Sequence, residues 1–177
     1  MKRLLVGILS AGMIAGCGRG HAIFNVDVLS FLSSADSTKG YNVLGGIPQA
    51  DSTVSRQFTL PPGFGKSSVD SVTASLSSVV ENATGGGRVT LQVFFGKQQT
   101  GLFTGTPYLT DSTGHLVGAD TVFLGTNKVS LSDSVFNSDS VWVGIRARIS
   151  TDAGPAMTGH LRLTDMHVRI VLDDKIL

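Results

Sequence analysis

The sequence predicts an all-β protein, an antiparallel β-sandwich of immunoglobulin-like or jelly-roll-like type with about eight strands. Strong helix formers are scarce: Glu81 is the single glutamate among the 13 acidic residues, while glycine, serine and threonine are abundant. The apolar bulk comes mainly from Val, Ile, Leu and Phe in short runs that alternate with polar residues. A closed β-barrel of about eight strands would show the same alternation and is the alternative architecture.

The first two predicted strands are residues 22–32 and 53–60, and each places apolar side chains on one face. These side chains are Phe24, Val26 and Val28 in the first segment and Val54, Phe58 and Leu60 in the second. The rest of residues 33–68 is rich in Ser, Gly, Pro and Asp. Because proline cannot donate to a β-ladder and glycine supports turns, this region predicts loops.

The clearest alternation lies in residues 70–80 and 88–95, which are joined by the glycine-rich link 83–87. The inward side chains are Val72, Ala74, Leu76 and Val80 in the first segment and Val89, Leu91, Val93 and Phe95 in the second. Two such segments with a short glycine-rich connection predict an antiparallel hairpin.

The remaining predicted strands are residues 120–125, 128–135, 141–149 and 160–172, and residues 96–120 predict an irregular region. In the last strand the apolar parity changes between Leu163 and Val168. Because one extra residue reverses the direction in which side chains point, this change predicts a β-bulge or a break near Thr164 and Asp165.

The amino terminus has the pattern of a secretory signal: Lys2 and Arg3, an apolar run from residue 4 to 9, and then small residues. The apolar part spans roughly a dozen residues, whereas a helix needs about 20 to cross a bilayer. The segment Ile14-Ala15-Gly16-Cys17 follows, and Cys17 is the only cysteine of the chain. These residues resemble the signal and lipobox of bacterial lipoproteins.

The resemblance implies cleavage between Gly16 and Cys17, attachment of diacylglycerol to the Cys17 thiol, and acylation of the new amino terminus. Several acyl chains anchor a protein stably in a bilayer. The chain then divides into a cleaved signal peptide (residues 1–16), a lipidated cysteine with a short tether (17–21) and one domain (22–177). Gly18 stands where an aspartate would favour inner-membrane retention, so the resemblance implies the outer membrane in a bacterium that has one.

Composition narrows the function of the domain. Removal of residues 1–16 removes two cations, which leaves 12 basic against 13 acidic residues and a formal charge of −1. A nearly neutral chain gives no electrostatic basis for binding nucleic acid. With Cys17 committed to lipid, the domain has no disulfide, and one hydrophobic core must stabilise it.

The predicted binding surface lies on residues 141–149 and 158–166. If these segments form a hairpin, five outward side chains share a face: Trp142, Arg146, Arg148, His160 and Arg162. Like charges on adjacent strands repel, so we expect a neighbouring aspartate or an anionic or sugar ligand to compensate them. Replacing Arg146 and Arg148 with alanine should then weaken ligand capture without unfolding the domain.

Residue patterns for catalysis and for cofactors are weak. Asp111, His115 and Asp120 could offer ligands to an ion, but their spacing is not that of an EF-hand loop and suits a turn equally well. No G-x-S-x-G elbow is present. We therefore predict no catalytic residues, no metal and no cofactor.

These observations favour a non-enzymatic binding or structural module, lipid-anchored in the bacterial envelope. Its partner would be another envelope protein, peptidoglycan or a glycan. The alternatives are an envelope hydrolase without a local motif and a surface protein that self-assembles through strand edges, since residues 89–95 strongly favour β-structure.

Overall fold

The computed structural model describes residues 20–60, 68–131 and 134–174. The strands are β1 (Gly20–Asp27), β2 (Thr38–Val43), β3 (Ala50–Thr59), β4 (Ser68–Thr84), β5 (Gly86–Gly96), β6 (Leu109–Ser112), β7 (Leu116–Val117), β8 (Asp120–Leu131), β9 (Ser140–Thr151) and β10 (Met157–Asp174). A short helix, α1 (Ser34–Ser37), and the 3-10 turns Leu29–Phe31 and Ser134–Phe136 connect them. The predicted signal peptide, Gly16 and Cys17 lie outside the described residues. Within those residues, no helix has the length and apolarity needed to span a membrane.

The strands form two antiparallel sheets. In sheet A, β10 and β8 lie on either side of β4, and β1 and β2 both pair with the outer edge of β10. Because β1 pairs with the second half of β10 and β2 with the first half, the two act as one interrupted strand. In sheet B the order is β3, β9, β5 and β6, and β7 continues β6 along the edge of β5.

This strand order is that of a jelly roll. Each sheet has four strand positions when β1 with β2, and β6 with β7, are each counted as one interrupted strand. The chain passes to the other sheet at every step from one position to the next, except from β5 to β6. The antiparallel β-sandwich predicted from the sequence is confirmed, in its jelly-roll form. The barrel alternative is wrong because the two sheets do not close on each other.

The core lies between the sheets and confirms the predicted alternation. In β4 and β5 the inward apolar side chains are at most 2% exposed: Val72, Ala74, Leu76, Val80, Val89, Leu91 and Val93. Phe95 is only partly buried but packs against the same core. Fully burying a valine or leucine side chain stabilises a fold by about 1.5–3 kcal/mol, so this layer can stabilise the domain without a disulfide.

The predicted hairpin between residues 70–80 and 88–95 is wrong. These segments are β4 of sheet A and β5 of sheet B, and the chain crosses between the sheets at Gly85. Gly85 has a φ of 72°, and a Cβ there would lie 2.6 Å from the carbonyl oxygen of Ala156. A short glycine link therefore serves a sheet-to-sheet crossing as well as a hairpin, and alternation alone cannot tell which.

Other predicted elements have mixed outcomes. The β-bulge is confirmed, because the register of β10 with β4 shifts between Leu163 and Asp165. The segments 120–125 and 128–135 are not two strands, since residues 120–131 form the single strand β8. The region 96–120, predicted as irregular, contains β6 and β7, and residues 33–68 contain β2.

The two ends of the sandwich carry different parts of the chain. Gly20 pairs with Asp174, so β1 begins where β10 ends, and β3, β5 and β8 also end there. We call this the N-terminal end. The opposite, far end carries the turn at Gly85 and the connections 44–49, 113–119 and 152–156.

Candidate binding faces

The five residues predicted to share a face do not. β9 lies in sheet B and β10 in sheet A, so Trp142, Arg146 and Arg148 are on the outer face of one sheet, and His160 and Arg162 are on that of the other. The connection 152–156 crosses between the sheets instead of turning back within one. The two groups of side chains therefore belong to two separate surfaces of the sandwich.

On sheet B, Arg148 is paired within the protein. Its Nε donates to Oδ1 of Asp51 at 3.0 Å and its Nη2 donates to Oδ2 at 3.2 Å. Gln49 also donates to the Asp51 carboxylate. The hydrogen bond from Arg148 lowers the pKa of the Asp51 carboxyl, and the same bond raises the pKa of Arg148. A neighbouring aspartate therefore supplies the compensation that the sequence led us to expect.

Arg146 holds a segment of chain over the same face. Its Nε donates to Gln92 at 2.8 Å, its Nη1 donates to the carbonyl oxygen of Phe103 at 3.0 Å, and its guanidinium lies 4.7 Å from the centre of the Phe94 ring. The Phe103 ring packs edge-on against Phe94 at 5.3 Å between centroids. Leu102, next to Phe103, is 7% exposed. The connection between β5 and β6 therefore covers the middle of the outer face of sheet B.

Trp142 lies beside this covered region. It is half-buried, and its cross-strand neighbours are Gln57 on β3 and Gly96 on β5. A Cβ at Gly96 would lie 2.8 Å from Leu102, so the covering segment extends as far as Gly96, the cross-strand neighbour of Trp142. The aromatic ring has contacts with solvent, but its surroundings are largely set by the protein's own chain.

No segment in the described part of the chain covers the outer face of sheet A, which we call the open face. Its central strand, β4, presents small hydroxyl side chains outward, and β10 and β8 carry longer ones on either side. Ser77 and Ser75 pair with Gly125 and Asn127 of β8. The result is a shallow depression, which we call the β4 trough, lined by Ser75, Ser77, Gly125 and Asn127. Leu76 and Thr126 also border it, but their side chains point to the inner face of the sheet.

An aromatic and a cation stand at one end of the β4 trough. Val79 of β4 pairs with Phe123 on one side and with Arg162 on the other. Val79 points outward yet is only 5% exposed, which indicates that its neighbours cover it, whereas Phe123 is 78% exposed. Arg162 is exposed, and among the described residues no hydrogen bond or ion pair engages its guanidinium. His160, in the next row, faces Glu81.

Beyond the β-bulge, β10 contributes a further polar pair to this face. His167 Nε2 lies 2.7 Å from Oδ1 of Asp165, and both side chains are about half exposed. His167 pairs across the sheet with Ser75, so the pair borders the floor of the β4 trough. Of the side chains on this face, His160 and Arg162 are among the residues predicted from the sequence, and Phe123 is not. The sequence does carry a signal for Phe123: it is an aromatic residue between Val122 and Leu124, whose side chains point inward, so its own side chain must point outward.

The possible ion ligands do not form a cluster. Asp111 accepts the backbone N–H of Gly125, His115 pairs with Asp152 at 2.8 Å, and Asp120 accepts the N–H of Thr121. Across the described ranges, no three His, Cys, Asp or Glu side chains meet in a group suited to a metal ion.

The edges of the sheets bear on self-assembly. Residues 89–95 lie in β5, which is paired with β9 on one side and with β6 and β7 on the other, so this segment is not a free edge. β8 is one edge of sheet A, and β1 with β2 forms the other. At the β8 edge the Asp111 carboxylate occupies the Gly125 N–H, and Lys128 lies 4.7 Å from the centre of the Tyr108 ring. Charged side chains at an edge oppose pairing with another chain.

Together these features define a β-sandwich protein with one outer face covered by its own chain and one outer face on which no described segment lies. No family model matches the chain, and no curated protein matches it.

Solved structures with a similar fold include a structure of the infectious bursal disease virus Gx strain, at 12% identity and a TM-score of 0.48, covering 99% of this chain and 39% of that chain. They also include TmCBM61 in complex with beta-1,4-galactotriose, at 10% identity and a TM-score of 0.36, covering 83% of this chain and 81% of that chain. The chain thus spans about two fifths of the viral chain. At these identities and scores the likenesses assign no function to this chain.

Proposed function

We propose that this protein is a lipid-anchored, non-enzymatic binding module of the bacterial envelope. The observation that carries the proposal is the open outer face of sheet A, where the exposed ring of Phe123 borders a polar depression together with Arg162, whose guanidinium has no partner among the described residues. Ligand sites combine apolar contact area with a few polar groups that fix orientation. The partner would be a glycan, peptidoglycan or another envelope protein.

The anchor in this proposal is Cys17, by its resemblance to the lipobox cysteine. β1 begins at Gly20, three residues later. Three extended residues reach about 10 Å, so an anchored domain would stand close to the bilayer on its N-terminal end. The open face of sheet A runs along the length of the sandwich and would stay accessible from the side. The expected location is the outer membrane in a bacterium with two membranes.

The anchor is tested by expressing the full chain and the Cys17→Ser variant in a bacterium supplied with labelled palmitate. We expect label and membrane association in the native chain and neither in the variant. A native chain that is cleaved but unlabelled, and released with the soluble fraction, would contradict the lipid anchor.

Binding is tested by immobilising the detergent-solubilised mature protein and exposing it to envelope extract, purified peptidoglycan and a glycan panel. Capture should be lost in a Phe123→Ala, Arg162→Ala double variant and kept in Trp142→Ala. Capture that depends on Trp142 alone would move the site to sheet B. Turnover of a captured ligand would favour the alternative function, an envelope hydrolase, and size that rises with concentration would favour a self-assembling protein.

A further inference from the structure

We infer that the β4 trough binds a neutral oligosaccharide, with Phe123 as the surface on which a sugar ring stacks. The inference rests on the proposed function and names the site and ligand class for it. The side chains that would contact the ligand lie on the outer face of sheet A and come from β4, β8 and β10.

Phe123 supplies the stacking surface. At 78% exposure it is the most exposed of the large apolar side chains in the described part of the chain, and its ring contacts no other aromatic ring there. The face of an aromatic ring carries negative potential and packs well against polarised C–H groups, which a sugar presents on one side of its ring. A ligand of this kind would remove the exposed ring from water.

The floor of the trough supplies room and hydroxyl groups. Gly125 lacks a side chain, and a Cβ added there would come no closer than 4.0 Å to any neighbour, so the space above it is open. Ser77 lies across from Gly125 on β4 and is partly buried, as is Ser75, whose partner on β8 is the exposed Asn127. Hydroxyl and amide groups both donate and accept, as the hydroxyl groups of a sugar require.

The charges around the trough favour a ligand without net charge. Arg162 and Arg169 point outward from β10, while Asp165, Glu81 and Asp27 place carboxylates on the same face. Two cations and three anions do not make a basic surface, which a nucleic acid or an acidic polysaccharide would require. The core of a protein–protein interface is depleted in charged residues and in serine. The charged, serine-lined surface around the trough therefore does not resemble the binding site for a protein partner.

The experiment uses the mature protein and measures binding of neutral trisaccharides of hexoses, pentoses and N-acetylhexosamines by calorimetry, with heparin as the anionic comparison. Amide chemical shifts locate the site. Phe123→Ala removes the ring, Phe123→Tyr keeps it, and Phe31→Ala removes a phenylalanine that is 60% exposed outside the trough.

We expect at least one neutral trisaccharide to bind, with shifts at Ser75, Ser77 and Asn127. Phe123→Ala should weaken it about tenfold, while Phe123→Tyr and Phe31→Ala leave it unchanged. If Phe123→Ala leaves the affinity for the saccharide unchanged, the proposed site is wrong. Preference for heparin, or capture of envelope material with no neutral saccharide bound, would overturn the ligand class and leave the proposed binding function standing.

Discussion

The side chain of Asn82 stabilises the far end of the sandwich because it forms hydrogen bonds with three other polar groups. Its Oδ1 accepts from the Tyr41 hydroxyl at 3.0 Å, and its Nδ2 donates to the carbonyl oxygens of Gly85 and Gly118. Asn82 is 4% exposed, and burial also raises the pKa of Tyr41 to about 12. Residues 82–84 match a glycosylation sequon in the sequence, but this amide is fully used inside the fold.

Replacing Asn82 with alanine should therefore destabilise the protein substantially. The Tyr41 hydroxyl and the Gly118 carbonyl lose the partner that Asn82 provides, while the Gly85 carbonyl still accepts the N–H of Gly118. Each buried unsatisfied group costs about 1–3 kcal/mol, so we expect a loss of about 2–4 kcal/mol. Urea unfolding measures this loss. The matched control is Asn25→Ala on the exposed side of β1, which should change stability by less than about 0.5 kcal/mol. Equal effects of the two substitutions would show that the Asn82 hydrogen bonds contribute little.

Ser78 presents the opposite case, a hydroxyl buried without a partner. It points into the core from β4, is 1% exposed, and its Oγ has no hydrogen-bond partner within the described residues. Because the desolvated hydroxyl gains nothing in return, Ser78→Ala should raise the free energy of unfolding by about 1 kcal/mol. The outward neighbour Ser77→Ala is the control and should leave stability unchanged. A less stable Ser78→Ala protein would indicate that the hydroxyl has a partner in solution.

At the scale of elements, the sequence determines which side chains face the core better than it determines which strands pair. The period-two pattern of β4 was read correctly because burial depends only on side-chain parity. The hairpins β4–β5 and β9–β10 were predicted wrongly because Gly85 and the connection 152–156 are compatible with turning back or with crossing to the other sheet. Short edge strands such as β7 were missed because two residues carry no pattern.

The segment that covers sheet B depends on a glycine beneath it. A Cβ at Gly144 would lie 2.7 Å from Leu102 and 2.8 Å from the Phe103 ring, so Gly144→Ala should push the segment off the sheet. We expect a destabilisation of about 1–3 kcal/mol and faster hydrogen exchange in residues 97–106. Gly125→Ala is the matched control, because its nearest neighbour would be 4.0 Å away and exchange should not change. Unaltered hydrogen exchange in Gly144→Ala would mean that the side chains of Leu102 and Phe103 make room for the methyl group while the backbone of the segment stays in place.

At the scale of the whole molecule, the jelly roll explains why the candidate site had no local motif. The outer face of sheet A joins residues near 75, 125 and 165, which only the strand order brings together. His160 and Arg162 could be selected from sequence because they alternate with buried leucines. Their neighbours could not be, because the prediction placed β10 next to β9 instead of next to β4.

The same topology predicts how an anchored molecule is oriented. Lys97 follows β5 at the N-terminal end and Val117 lies at the far end, both exposed, and strands of this length span roughly 40 Å. With Cys17 acylated, a cysteine introduced at either position is the only free thiol and accepts a fluorophore. In vesicles carrying a headgroup quencher, we expect strong quenching of the Lys97→Cys probe and little of the Val117→Cys probe. Equal quenching, or stronger quenching at Val117, would mean that the domain does not stand on its N-terminal end.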